Sequence, residues 1–248
     1  MRYLVLTDIH ANMEALDACL ADATARRYDG ALVLGDLVGY GPEPNAAVGR
    51  IQQLNPIAIV RGNHDKVASG LEPPDGFNTV AKNAARWTHE VLTPANREWL
   101  ASLPLGPTIV DEVVEICHGA PFDEDSYIFD ELDAVHALKT SVRPLCLFGH
   151  THHPVAFELS DGIFDSIDPI AAAEMQLLSL RPRSKYLVNP GSVGQPRDGD
   201  PRAAYAIADT TARAVELFRI RYPVEETQAK LVMAGLPEML AHRLAVGR

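Results

Sequence analysis

Short apolar runs rich in β-branched residues recur along the chain, at residues 3–6, 31–34, 57–60, 113–117, 145–148, 155–159, 185–188, 203–208 and 214–220. Runs of this length between Gly, Asp and Asn turns read as buried strands. Between the early ones the spacing changes. Residues 12–27 place Met13, Leu16, Cys19 and Leu20 on one helical face, and 43–54 reads as a second helix. Strands alternating with helices predict a mostly parallel sheet covered on both faces. After residue 144 the runs lie closer together, with turns such as Asp161-Gly162 and Asp198-Gly199-Asp200, which predicts a further set of antiparallel strands. The whole pattern therefore predicts an α/β fold, a two-sheet mixed β sandwich flanked by helices. Residues 66–101 interrupt the strands with helical patches at 79–91 and 94–100, where a small helical cap over a site has room. Residues 160–184 read as a variable loop with a short helix at 171–178, and 224–245 as one closing helix.

A chain of 248 residues, 47% hydrophobic, suffices for a single domain spanning 1–248. No apolar run approaches the roughly 20 residues of a membrane span, and Met1 leads into the first strand without a basic leader, so a cytoplasmic location is expected. Cys19, Cys117 and Cys146 form no close pair in sequence and read as small buried hydrophobes, against a disulfide framework or a thiolate metal site. A formal net charge of -11 without a Lys/Arg cluster disfavours a stable nucleic-acid partner. It leaves room for a small phosphate ester, because bound cations invert the local field.

The residues that end the apolar runs narrow the chemistry. Asp8 and His10 follow the first, Gly35-Asp36 the second, Gly62-Asn63-His64-Asp65 the third, His118-Gly119 the fourth and Gly149-His150-Thr151-His152 the fifth. Singly, each has an ordinary explanation: Asp8 as a helix cap, Asp36 and Asn63 as turn residues, a histidine as a hydrogen-bonded surface group. Jointly, carboxylate, amide and imidazole at five successive strand ends form the ligand set of Mn, Fe, Co, Ni or Zn. Such ends converge on the crevice where α/β sheets bind ligands. If Asp8-x-His10 and His150-x-His152 are extended, period-two spacing puts both members of each pair on one side and turns Thr7 and Thr151 away. Seven ligand-type residues exceed the needs of one ion, so two divalent ions sharing a carboxylate are expected.

The ordered set D-x-H, G-D, G-N-H-D, H-G and G-H-x-H resembles the calcineurin-like metallophosphoesterases. Gly39-Tyr40-Gly41-Pro42 and His152-His153-Pro154 are similar to the small bacterial and archaeal phosphodiesterase branch related to diadenosine tetraphosphatase. The match extends more loosely to Asn189-Pro190-Gly191-Ser192 and the 195–200 turn. The resemblance implies a four-layer αββα fold in which one metal takes Asp8, His10 and His152, the other Asn63, His118 and His150, and Asp36 bridges. It implies that His64 stabilises or protonates the leaving oxygen, with Asp65 orienting its imidazole. Arg61, in R-G-N-H-D, resembles a phosphate-contacting arginine, the other reading being a solvated strand-end charge. The implied activity is hydrolysis of a phosphodiester or phosphomonoester by a hydroxide held between the ions, in one displacement. No Ser or Cys sits beside a base as a covalent nucleophile requires. The alternatives are a dinucleoside polyphosphate hydrolase and, from another class, a silent protein-binding scaffold, which loss of His64 or of ligands would mark. Acidic Asp123, Glu124 and Asp125 either repel polyanions or face solvent.

Overall fold

The structure is a computed structural model, and it describes residues 1–167 and 173–248. Among the described residues, twelve strands divide equally between two sheets. The first sheet has at its centre β1 (Arg2–Leu6), parallel to β2 (Gly30–Val33), which is in turn parallel to β3 (Ala58–Ile59). On its other side β1 runs antiparallel to β11 (Ala203–Asp209), followed by β12 (Ala214–Ile220) and β9 (Met175–Ser179). The second sheet orders β4 (Thr108–Ile109), β5 (Val114–Ile116), β6 (Leu145–Leu147), β10 (Lys185–Asn189), β7 (Val155–Ser160) and β8 (Ile163–Ile167). Within it β5, β6 and β10 are parallel. The strands after residue 144 thus form no sheet of their own. They complete both, so each sheet is mixed and the predicted sandwich stands.

Alternation along each strand builds the layers. Tyr3 and Val5 of β1 face inward with Leu32, Ile116, Leu147, Val188 and Ala206, forming the core between the sheets. Their neighbours Leu4 and Leu6 point outward with Val33 and Ile207 to meet α1 (Met13–Arg26) and α2 (Pro44–Leu54). On the far side, Cys146, Phe157 and Leu187 pack against Ala134, Ala137 and Leu138 of α6 (Glu131–Thr140). Asn12 caps α1 by accepting from the Ala15 amide, and Pro44 opens α2 at a position where no N–H is needed.

Several elements differ from expectation. Residues 224–245 are two helices, α7 (Val224–Met233) and α8 (Glu238–Val246), because Gly235 at φ 69° and Pro237 break the run. The helix expected at 171–178 gives way to β9, whose backbone completes the edge beside β12; residues 171 and 172 lie outside the described residues. The span 66–101 holds α3 (Asn63–Ser69) in part, a short turn at Pro74–Gly76, α4 (Thr79–Val91) and α5 (Pro94–Ala101). Here α4 buries Ala81 and Ala84 against Leu231 and Leu240 of the C-terminal helices, so the segment is a layer of the body more than a lid. Cys117 and Cys146, distant in sequence, lie with their sulfurs 3.7 Å apart as free thiols on neighbouring strands.

Candidate metal centre

The C-terminal ends of β1, β2 and β3 meet those of β5 and β6 across the gap between the sheets. Asp8, His10, Asp36 and His152 form one buried group and Asp36, His118 and His150 a second, the candidate ligand atoms within each lying within 4.8 Å of one another. Asp36 belongs to both. Its Oδ2 lies 3.5 Å from His10 Nε2 and 3.5 Å from His118 Nε2. Asn63 joins the second group, its Oδ1 3.3 Å from His118 Nε2.

Ligand geometry is written into the backbone. Asp8, His10, Asp36, His150 and His152 all have left-handed φ, from 48° to 67°. This corrects the extended reading of the two x-spaced pairs: the segments are tight turns, and each such residue costs about 1–3 kcal/mol that its surroundings must hold. The threonines of the two turns are therefore oriented by their own hydrogen bonds. Thr7 Oγ1 donates to Asp8 Oδ2 at 2.8 Å, whereas Thr151 Oγ1 accepts from Asn189 Nδ2 at 3.0 Å. The strain is held by main-chain bonds: His10 N to Asp36 O at 3.0 Å, Asp8 N to Gly35 O at 3.1 Å, and Gly194 N to Asp8 O at 2.9 Å. Ser192 Oγ adds a bond to Asp8 O at 2.8 Å, so the looser Asn-Pro-Gly-Ser match proves to be scaffolding for the ligand turns. Glycine is obligatory at two close approaches. A Cβ on Gly62 would lie 2.1 Å from Asp36 Oδ1, and one on Gly149 would lie 2.0 Å from Thr7 Oγ1.

The tautomers follow from the partners. His10 Nδ1 donates to Val38 O (3.0 Å), His118 Nδ1 to Leu34 O (2.8 Å), His152 Nδ1 to Gln195 O (2.6 Å) and His150 Nε2 to Asp125 O (3.1 Å). A carbonyl only accepts, so each of these nitrogens carries the hydrogen and the other presents a lone pair inward. The inward nitrogens then sit opposite one another, His10 to His152 at 3.1 Å and His118 to His150 at 3.1 Å. Between His10 and His152 lone pair faces lone pair, which repels unless a cation lies between them; between His118 and His150 either a cation or a second proton on His118 relieves the same repulsion. Ligands about 2.0 Å from a tetrahedral ion are roughly 3.3 Å apart, which is close to this spacing. The residues present fit two cations.

Electrostatics agree. Burial pushes His10 and His152 well below the ordinary imidazole value and His150 down to about 3, so all three are neutral ligands at physiological pH. Burial acts on His118 in the same direction, but the charges of Asp36 and Asp8 outweigh it and lift this imidazole to about 10. Asp36, although burial opposes its charge, is held well below the carboxylate range by His118, His64 and His10. Burial lifts Asp8 to about 7. Without metal, a proton on His118 does for Asp36 what a cation would do.

The three residues expected to act on substrate fare differently. His64 lies at the site, walled by the rings of Tyr40, Phe77 and His10 at 4.3, 4.5 and 5.0 Å, with a buried Nδ1 that has no hydrogen-bond partner. Burial drives it down to about 4, making it a neutral imidazole. Asp65 does not orient it. Its Oδ1 accepts from Leu37 N (2.9 Å) and Val38 N (3.2 Å) and its Oδ2 from Gly62 N (2.9 Å), because in the first turn of α3 the side chain curls back to free amides. What Asp65 fixes is the Val38 peptide, whose carbonyl holds His10. Arg61 is half-buried, its fork closed on Glu124 by Nε at 3.1 Å and Nη2 at 2.9 Å. Glu124 and Asp125 also bind the buried Lys66, so two members of the acidic run are tied to cations of the chain itself. Sequence reading gave no role to Tyr40 and Arg197, although both stand in matched segments, and passed over Tyr127. Tyr40 crosses His10 edge-on at 4.8 Å, and Tyr127 stacks on His150 at 3.8 Å.

Two buried His/Asp groups sharing a carboxylate, at the strand ends of two packed sheets, define a protein with a candidate dinuclear metal centre. Residues 1–213 match the model of the calcineurin-like phosphoesterase superfamily domain, and the chain belongs to that superfamily. It is 36% identical over 252 residues to an uncharacterized protein of Methanocaldococcus jannaschii, covering 98% of this chain and 97% of that one. Among solved structures, a metallophosphoesterase from Sphaerobacter thermophilus is 38% identical with a TM-score of 0.86, both chains covered in full. A hypothetical protein from Pyrococcus horikoshii shares the fold at 20% identity, with a TM-score of 0.79 over 100% of this chain and 98% of that one.

Proposed function

We propose that the protein hydrolyses phosphate esters with two divalent cations, one held by Asp8, His10 and His152, the other by Asn63, His118 and His150, with Asp36 bridging. The observation that carries this reading is the set of four imidazoles, each locked by a carbonyl so that its free nitrogen faces another across 3.1 Å or a carboxylate. When bound, two such cations supply Lewis acidity to phosphoryl oxygens and lower the pKa of coordinated water. The chain's own residues do the rest. Asp36 and Asp8 offset the cationic charge, the aromatic wall of Tyr40 and Phe77 keeps water from the His64 face, and His64 offers an N–H to the departing oxygen. As a neutral imidazole it stabilises that oxygen by donating a hydrogen bond and keeps its proton, the protonated leaving group being completed from solvent. Asp65 and Gln195 are positioning residues, acting through His10 and His152. Inductively coupled plasma analysis of purified protein, with a panel of aryl phosphomonoesters, aryl phosphodiesters and dinucleoside polyphosphates under each of Mn, Fe, Co, Ni and Zn, tests the reading. Two ions per chain and turnover of an ester are expected. Full metal loading with no turnover on any class would return the protein to the scaffold alternative.

A further inference from the structure

Several arginines of this acidic chain hold a carboxylate, Arg2, Arg61, Arg181, Arg202 and Arg219 among them. Arg197 has none among the described residues. Its Nη2 donates to the amide oxygen Oε1 of Gln195 at 3.1 Å, and its Nε is buried without a partner. The neighbouring Asp198 is turned to Arg219 instead. A half-buried arginine with no carboxylate partner and an unmet buried N–H, in a protein of net charge -11, is placed to receive an anion.

Its location says which anion. The Arg197 amide donates to His152 O at 3.4 Å, and two residues before it the Gln195 carbonyl holds the His152 ring, so this backbone is fastened to a metal-ligand candidate. The guanidinium carbon lies 5.7 Å from the centre of the Tyr40 ring, which packs on His10 and His64. The guanidinium also hydrogen-bonds with the Tyr40 and Tyr127 side chains. Tyr127 in turn lies on His150 at the other half of the centre. Arg243 of α8 adds a second positive charge close enough for the two guanidinium groups to repel.

We propose that Arg197 is the clamp for the substrate's phosphoryl oxygens, with Tyr40 and Tyr127 fixing its fork and Gln195 anchoring one arm. This is the place the sequence assigned to Arg61, and it rests on the phosphoesterase reading above. A planar guanidinium suits two oxygens of one phosphoryl group.

The test uses inorganic phosphate as the probe, titrated calorimetrically into metal-loaded protein, beside KM and kcat for an aryl phosphate ester. Arg197→Met is expected to keep two ions per chain while weakening phosphate binding and raising KM by about 10- to 100-fold, the usual loss for a hydrogen-bonded charge. Arg197→Lys should recover part of this, since it returns the charge without the fork. Phosphate affinity unchanged in an Arg197→Met protein that retains both ions overturns the clamp. Should that variant lose metal, Arg197→Lys decides by the same measure, and wild-type affinity there overturns it too. A wild-type protein that binds phosphate through Arg197 yet turns over no ester removes the proposed function and leaves the clamp standing.

Discussion

The two oxygens of Asp36 are committed to different tasks. Oδ2 lies between the two histidine groups, and Oδ1 accepts the His64 amide at 2.9 Å, tying the first turn of α3 to the centre. Asp36→Asn keeps the shape and removes the charge that makes two neighbouring cations tolerable. Both ions are expected to bind more weakly together, read as a parallel fall in the two occupancies during a chelator titration; loss of one alone would show that Asp36 does not bridge. His64 is separable from metal binding, being neutral and outside both ligand groups. His64→Ala should retain both ions and lose about 10²- to 10⁴-fold in kcat. That deficit should shrink as the leaving group becomes a better one, and an equal loss across a series of aryl phosphates would remove the hydrogen-bond role.

At the scale of elements, strands whose apolar runs end in a ligand were legible from sequence because one physical demand, burial then chemistry, shapes both parts. Less visible were elements held by other means. The helix α6 buries mainly Ala134, Ala137 and Leu138, too little apolar bulk to make a periodic signal, and α3 is a single capped turn and a half around polar residues. β9 has only Leu178 buried and gains its shape from pairing with β12. The same locality explains Arg61 and Asp65: sequence identifies their chemistry, but Glu124 and the amides of 37 and 38 decide which partner they meet. Side chains also join the elements to each other. Glu158 of β7 accepts from Tyr186 of β10 at 2.7 Å and from Arg181 Nε, just beyond β9, at 2.9 Å. Arg181 above all holds this carboxyl down at about 2, below its ordinary 4.5. A depressed folded value contributes stability that is present above pH 4.5 and lost as pH falls through about 2. Glu158→Gln is thus expected to lower the melting temperature at pH 7 and to flatten its decline between pH 4.5 and 2. An acid limb as steep as that of the wild type would show that the pair is inert.

The whole molecule joins two sheets through one centre. β1, β2 and β3 lead to Asp8, His10, Asp36 and Asn63 from one sheet, and β5 and β6 lead to His118, His150 and His152 from the other. Cations held there cross-brace the sandwich, and a metal at a thousand times its Kd stabilises the folded state by about 4 kcal/mol. Protons compete for the same groups. His118, raised from 6.5 to about 10, contributes stability to the metal-free protein that is complete below pH 6.5 and lost as pH rises through 10. Asp8, raised from 3.8 to about 7, loses its contribution in the same direction as pH passes 7. The gap in melting temperature between metal-loaded and metal-free protein should widen from pH 7 to 9, with protons released on binding. A gap independent of pH would mean that metal does not replace these protons.

The topology also sets when the centre comes into being in a cell. Asp8 is made early, but β11, which pairs with its strand, lies at 203–209, and the carbonyl that orients His152 belongs to Gln195. At roughly 5–20 residues per second, translation separates Asp8 from His152 by on the order of ten seconds. Throughout that interval the emerging polypeptide carries half a coordination sphere and none of the strand that locks it. Selection of any metal would therefore wait until β11 has been made and paired, and would reflect the ionic surroundings that the completed sandwich meets.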